Sequence, residues 1–430
     1  MNLFKRKWNG AAISTAAIGV ATMLGAGGPA RATVNDLYVA SQNNAVYVVR
    51  TNPSGVPTKL ITTLPVGTYP QVARATPDGS EVWVVNGGDA TITAINTSNF
   101  SEQTFSVSSG PNSFPGYVVF NPFQNVAYVI DGGSNQVTFV DTRTKKVLPV
   151  SVTVGNTPGY AGLSGDGRTL YVSNYFDNTV SVVNVATYSQ TAVIGIPNTN
   201  PPGTNNPPTN VCQYQVNPAP VVPLQLGPEF TSPPSPQGVA VQDPFVFVLN
   251  GYTSNLLPCQ DTSPAYPNGG TGDVTFQEST VNVIAEWDNE IKGTVLAGGP
   301  GGTATGFSVD GNWLYATNTG NDDYPGNTFG VINPAARKGG PKKVLTLPTG
   351  WTGATEIDAD PDPCDNLAYV AADGATPASA LTTAPPNISG LVTVNSNSNT
   401  ITSSFPLPAY PNASGNPAFA ISIAVVPHWW

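Results

Sequence analysis

The sequence predicts an all-β chain in which seven copies of one four-stranded unit close into a ring. Three observations carry this expectation. One short strand with an aromatic second residue recurs seven times. A companion strand recurs equally often. The composition also suits strands and turns: 44 Gly and 42 Pro among 430 residues, with only 10% charged. Such a chain is poor in helix-favouring stretches and long enough to bury a large core.

The first element is a leader. Lys5, Arg6 and Lys7 form a basic segment, Ala11 to Leu24 a weakly apolar one, and Ala30-Arg31-Ala32 fits a small-residue cleavage site. Residues 1–32 therefore read as a secretory signal peptide, with the mature chain starting at Thr33 and exported to the periplasm or the cell exterior. No other stretch is long and apolar enough to span a bilayer. The leader holds four of the sixteen basic residues and no acidic one. Its removal leaves 12 Lys and Arg against 26 Asp and Glu, a net charge of −14. Such a surface repels phosphate backbones, which argues against nucleic acid as a partner.

The recurring strand reads LYVAS at Leu37, VWVVN at Val82, AYVID at Ala127 and LYVSN at Leu170. VFVLN at Val246, LYATN at Leu314 and AYVAA at Ala368 complete the set. The first spacings are 45, 45 and 43 residues, and the later ones, 76, 68 and 54, are stretched by insertions. The companion strand precedes most copies, as YPQVARATPDG at Tyr69, FPGYVVFNP at Phe114, TPGYAGLSGDG at Thr157 and SPQGVAVQDP at Ser235. It is looser at Thr303 and Thr355, and a seventh copy, NPAFAISIAVVP, follows Asn416. A third strand comes after the aromatic one (Thr91–Asn96, Gln136–Asp141, Thr179–Asn184), and a fourth ends near Val-Gly (Leu64–Gly67, Val152–Gly155).

Four strands in about 44 residues make one propeller blade, and seven blades close a ring. The mature N-terminus starts on the second strand of a blade, and the chain ends on an unpaired first strand. The two ends are expected to complete one blade between them, so that residues 33–430 form a single seven-bladed β-propeller.

Tyr171–Asn174, Tyr315–Asn318 and Trp83–Asn86 resemble the Tyr-Val-Thr-Asn repeat of YVTN-family β-propellers. The flanking Pro70…Gly79 and Thr179–Asn184 segments fit that repeat too. The resemblance covers nearly all of the mature chain and loosens in blades five to seven. It implies a seven-bladed propeller, often exported. Function it implies only in outline, because the family spans surface-layer-like proteins, binding proteins and relatives of lactonase propellers.

Loops after the aromatic strand and before the companion strand share one face of such a ring. The insertions near 197–236, 251–277, 318–328 and 373–389 all fall there, and long loops on a rigid scaffold usually carry function. Cys212 and Cys259 lie in two of them and are expected to form a disulfide. Cys364 sits in a turn on the opposite face. The insertion-rich face also collects aromatics: Tyr69, Phe114, Tyr160, Tyr175, Phe176, Tyr252, Tyr324 and Trp351. Exposed together, they would suit sugar rings or apolar peptide side chains.

Counted from the proline position, the inner strands place Ile421, Arg74, Val119, Gly162, Ala240, Gly306 and Asp360 at equivalent sites. Arg74 and Asp360 are the charges among them, with Asp358 two residues away, so the two are expected to meet across the central channel as an ion pair or as a ligand-orienting pair. The run Asp358, Asp360, Asp362 and Asp365 lacks the glycine-bearing loop that specifies a Ca²⁺ site, and no metal is expected.

The single histidine, His428, excludes histidine-rich metal sites and makes a Ser-His-Asp triad implausible. Phosphate-loop and dinucleotide fingerprints are missing, and no cofactor is expected. Carboxylate chemistry by Glu286, Glu290, Glu356 or the Asp run stays open, since no spacing selects a pair. The leading expectation is an exported propeller that binds a small molecule, glycan or protein through its insertion-rich aromatic face. A lactonase-like hydrolase using carboxylates and Arg74 is the first alternative, and a cell-surface structural protein the second.

Overall fold

The computed structural model describes residues 34–197, 235–251, 258–259, 274–275, 279–299, 302–320, 325–348, 351, 353–362, 365–372, 389–408 and 420–428. Among these, seven antiparallel four-stranded sheets stand in a ring and no residue is helical. Accordingly, no helix is long and apolar enough to cross a membrane among the described residues. Blade two shows the plan. Its inner strand Pro70–Ala75 is followed outward by Glu81–Asn86, Thr91–Asn96 and Glu102–Ser106.

Blade one is shared by the two ends of the chain. Ala420–His428 pairs along Val34–Ser41, with Tyr38 opposite Ala424, and two further strands, Ala45–Thr51 and Pro57–Pro65, lie outside them. The ring is thus closed by backbone hydrogen bonds between residues almost four hundred positions apart, which removes the open edge a first or last blade would otherwise present.

The cores lie between blades, where each sheet face packs on its neighbour. This is why the second residue of every repeat is aromatic. Tyr38, Trp83, Tyr128, Tyr171, Phe247, Tyr315 and Tyr369 are all buried. Trp83 of blade two meets Phe120 of blade three edge-on at 5.0 Å between ring centroids. Phe247 meets Phe307 of the next blade at 5.4 Å in the same way. Two of these tyrosine hydroxyls also bond across to the next blade. Tyr315 Oη donates to Asn399 Oδ1 at 3.0 Å, and Tyr369 Oη donates to the Gly55 carbonyl at 2.9 Å. Burial of one such ring contributes about 2–3 kcal/mol.

The asparagine that ends the motif ties strands within a blade. Asn174 Nδ2 donates to Thr179 Oγ1 and Ser181 Oγ, each at 2.9 Å, and Asn86 does the same to Thr91 and Thr93 at 3.0 and 3.1 Å. Gly155 closes the fourth strand because a Cβ there would stand 2.6 Å from Asn174 Cγ. The repeated Val-Gly signature is thus the footprint of a buried asparagine.

Between blade four's outer strand, Ser189–Gly195, and blade five's inner strand, Ser235–Gln242, falls the first insertion, so it separates these two blades rather than interrupting one. Cys212, Cys364, Tyr252 and Tyr324, and the side chains of Cys259 and His428, lie outside the described residues.

Candidate functional site

Each inner strand carries a bulge after its first or second residue, which aligns the seven copies by backbone pairing. The residues opposite the repeat aromatics are Ala424, Arg74, Val119, Gly162, Ala240, Gly306 and Asp358. Five of the seven expected equivalents stand. Ile421 and Asp360 are corrected to Ala424 and Asp358. Blades one and seven have Ala420 and Ala354 where blades two to five have proline, so the sequence offered no anchor for the count there.

Arg74 meets a carboxylate across the channel, but the partner is Glu356, not Asp360. Arg74 Nη2 is paired with Glu356 Oε1 and donates to Tyr117 Oη at 2.6 Å, and the guanidinium carbon lies 4.8 Å from the centroid of the Tyr117 ring. Glu356 Oε2 accepts from Ser422 Oγ and from the Ile423 amide at 3.3 Å. Blades one, two, three and seven therefore converge on one buried cluster. Burial opposes the guanidinium charge, yet Glu356, Tyr117 and Asp358 more than offset it and hold Arg74 well above its usual range. Asp358 accepts from the Val425 amide at 3.1 Å. Burial pushes its carboxyl up to about 6, against the pull of Arg74.

Asp360 lies apart from this cluster. It is fully buried, accepts from Asn35 Nδ2 of the closing blade and from the Asp362 amide at 2.9 Å, and burial pushes it up to about 7. Its place is the seam between blades seven and one.

Above the Arg74–Glu356 pair the channel opens into a cavity of about 400 Å³. Its walls include Phe114, Tyr117, Pro158, Tyr160 and Ile421, and Glu356 reaches it from the floor. Below the pair, a pocket of about 70 Å³ is lined by Arg74, Asp358, Gly162 and Gly306. The ion pair and Tyr117 thus separate two compartments of one channel. The rings of Tyr117 and Tyr160 are 4.8 Å apart and tilted by 51°. Burial raises both phenols, so both hydroxyls stay protonated at physiological pH. Among the described residues the Tyr160 hydroxyl has no hydrogen-bond partner; only its backbone is bonded, to Ser173.

The mouth is set by blade three and blade four loops. Asp131 stands where blades two, four, five and six have asparagine. It accepts from Ser109 Oγ at 2.5 Å, from Ser113 Oγ, and from the amides of Phe114, Gly133 and Ser134 at 2.8, 3.1 and 3.1 Å. These bonds outweigh burial and hold its carboxyl below the usual range. Phe114 is thereby fixed at the rim, with Tyr69 beside it at 5.9 Å. On the far side the Thr157 carbonyl, part of the wall, accepts from the Tyr175 amide at 3.0 Å, and Tyr175 packs edge-on against Phe176 at 5.0 Å. Phe176 is the most exposed of these rings, at 63%.

Trp351 has no place on this surface. It is 5% exposed, packed among Leu347, Ala354 and Val392 between blades six and seven, and this corrects its expected position on the open face. Sequence reasoning missed Tyr117, Ser422 and the pairing role of Glu356. The Pro-Gly-Tyr shared by blades three and four (Pro115–Tyr117, Pro158–Tyr160) was the signal available.

Residues 67–200, which hold Arg74, Tyr117 and Tyr160, match a family described as lactonase, seven-bladed β-propeller. The ring as a whole is a seven-bladed propeller, and the matched segment makes this chain similar to that family over blades two to four. Among solved structures it is similar to Kuenenia stuttgartiensis hydrazine synthase, at a TM-score of 0.55 and 14% identity, over 86% of this chain and 92% of that one. It is also similar to the dihydro-heme d1 dehydrogenase NirN in complex with DHE, at 0.51 and 12%, over 90% and 75%. At such identities the likeness shows the fold alone. No curated protein matches the chain.

Proposed function

We propose that this propeller is an exported binding protein that takes an uncharged, ring-bearing small molecule into the 400 Å³ compartment of its channel. One observation carries the reading: the walls are aromatic while the charges on the floor are already spent on each other. Arg74 is paired with Glu356 and Tyr117, and both Glu356 oxygens are engaged. A charged ligand would have to break that cluster. An uncharged one needs only ring contacts and the Tyr160 hydroxyl. The volume falls within the range of small-ligand pockets, which run from roughly 300 to 1,000 Å³. The same engagement leaves no carboxylate in this compartment free to act as a base, which favours binding over catalysis.

The test is a thermal-shift screen of the exported protein against sugars, lactones and aromatic alcohols, since a ligand of the native state raises the melting temperature. The expected result is a hit that Tyr160→Phe weakens and that is recovered unchanged after incubation. Hits confined to anions or cations would overturn the reading. A second reading, lactone hydrolysis, is favoured by the family match over residues 67–200; consumption of a lactone by the parent protein, lost in Tyr160→Phe at an unchanged melting temperature, would establish it instead. Export rests on the leader at 1–32. Protein recovered outside the cytoplasm should begin at Thr33, and recovery only of chains that keep Met1 would refute cleavage.

A further inference from the structure

The residue in the bulge of each inner strand is Gln71, Gly116, Gly159, Gln237, Thr303, Thr355 or Ile421. Only blades three and four use glycine. A glycine usually answers to one of two needs, a positive φ or a close approach by neighbouring atoms. Neither holds here. Gly116 and Gly159 are not among the residues with positive φ. A Cβ built on Gly159 would meet nothing within 4 Å, and one on Gly116 would meet only the Gly159 carbonyl oxygen at 3.9 Å. The bulge itself tolerates a side chain, as Gln71 and Gln237 show in the same place. By contrast Gly133, on the neighbouring turn, would put a Cβ 1.9 Å from the Asn112 carbonyl, a structural requirement of the ordinary kind.

Both unexplained glycines line the 400 Å³ compartment, and each is followed directly by one of its two tyrosines. From this we infer that Gly116 and Gly159 are the specificity-determining residues of the site, keeping open the space for a pyranose-class sugar. The inference rests on the binding reading above and names its ligand. The chemistry fits this class. A pyranose presents a face of C–H bonds to aromatic walls such as Phe114 and Tyr160, and its hydroxyls can satisfy the Tyr160 hydroxyl. It carries no charge to disturb Arg74–Glu356. Any side chain at 116 or 159 would fill the volume the ring needs.

The experiment is titration of the purified exported protein with D-glucose, D-galactose, D-mannose and N-acetyl-D-glucosamine, with p-cresol as a flat aromatic control, by saturation-transfer NMR and calorimetry. Gly116→Ala and Gly159→Ala should each weaken the sugar that binds by about tenfold or more, the effect of one added carbon in a fitted pocket. Gly159→Leu should abolish binding. Melting temperatures should be unchanged or higher, because the native backbone suits alanine and the unfolded chain loses freedom. Sugar binding that survives all three substitutions would overturn the role of the glycines while leaving the binding reading intact. Binding of p-cresol with no sugar would overturn the ligand class. A parent protein that binds none of the probes would overturn both the inference and the reading beneath it. A fall in melting temperature for the alanine variants would show the glycines to be structural.

Discussion

Arg74→Met tests whether the cluster in the channel is held as its geometry implies. The substitution removes the guanidinium while keeping an unbranched stem of similar length. Glu356 is then left with its side chain 4% exposed and only Ser422 Oγ and the Ile423 amide as donors, and the Tyr117 hydroxyl loses its 2.6 Å partner. Stripping one member from a buried pair costs about 3–5 kcal/mol, because the remaining charge stays buried without compensation. Domains of ordinary stability have about 5–15 kcal/mol in all, so the change is large. Removing both charges with Arg74→Met and Glu356→Leu should recover most of the loss, since desolvation of the pair offsets much of its attraction. The assay is urea unfolding at pH 7, comparing midpoints at equal m-values across the parent, the two single variants and the double variant. A loss below about 1 kcal/mol for Arg74→Met, or a double variant as damaged as the sum of the singles, would refute the argument.

Other consequences follow from the same geometry. Asp358 is raised to about 6, so between about pH 4 and pH 6 the unfolded chain gives up a proton that the native one keeps, and stability falls as pH rises through that window. Asp358→Asn should therefore be more stable than the parent at pH 7, on the order of 2 kcal/mol, and equal to it at pH 4; a gain of equal size at both pH values would exclude titration as the cause. Asp131 has the opposite sign. Its depressed carboxyl contributes stability that is present above the ordinary carboxylate range and lost as pH falls through the native value, so Asp131→Asn should be costly at pH 7 and progressively less so as pH falls below the ordinary carboxylate range in thermal melts. Gly155→Ala should cost about 1–3 kcal/mol through the 2.6 Å clash with Asn174, and less when combined with Asn174→Gly, which removes the Cβ as well; additive costs in urea melts would contradict the contact. Trp351→Ala should cost about 3–5 kcal/mol, whereas Phe176→Ala on the open rim should change stability by no more than about 0.5 kcal/mol. Equal losses would undo the distinction between core and rim.

Blade count, ring closure and the identity of the interblade aromatics were all legible in the sequence. The reason is periodicity: a packing need met seven times in the same way is written seven times, and Tyr38, Trp83 and Tyr171 occur at intervals that only repetition explains. Arg74 stood out for the same reason, as a charge where its equivalents are apolar. The tertiary structure decided its partner. Glu356 lies 282 positions away, in a blade without the proline that would have set the count, and which of four nearby acidic residues faces Arg74 depends on a one-residue bulge that only backbone pairing fixes. Trp351 shows the same limit from the other side, since a loop aromatic turns inward or outward according to the surface offered by the next blade. The cavity lined by Tyr117 and Tyr160 lies beyond any local pattern. Two neighbouring inner strands that line it carry glycine at the same level of the ring, and such an absence acquires shape only when the strands around it are in place.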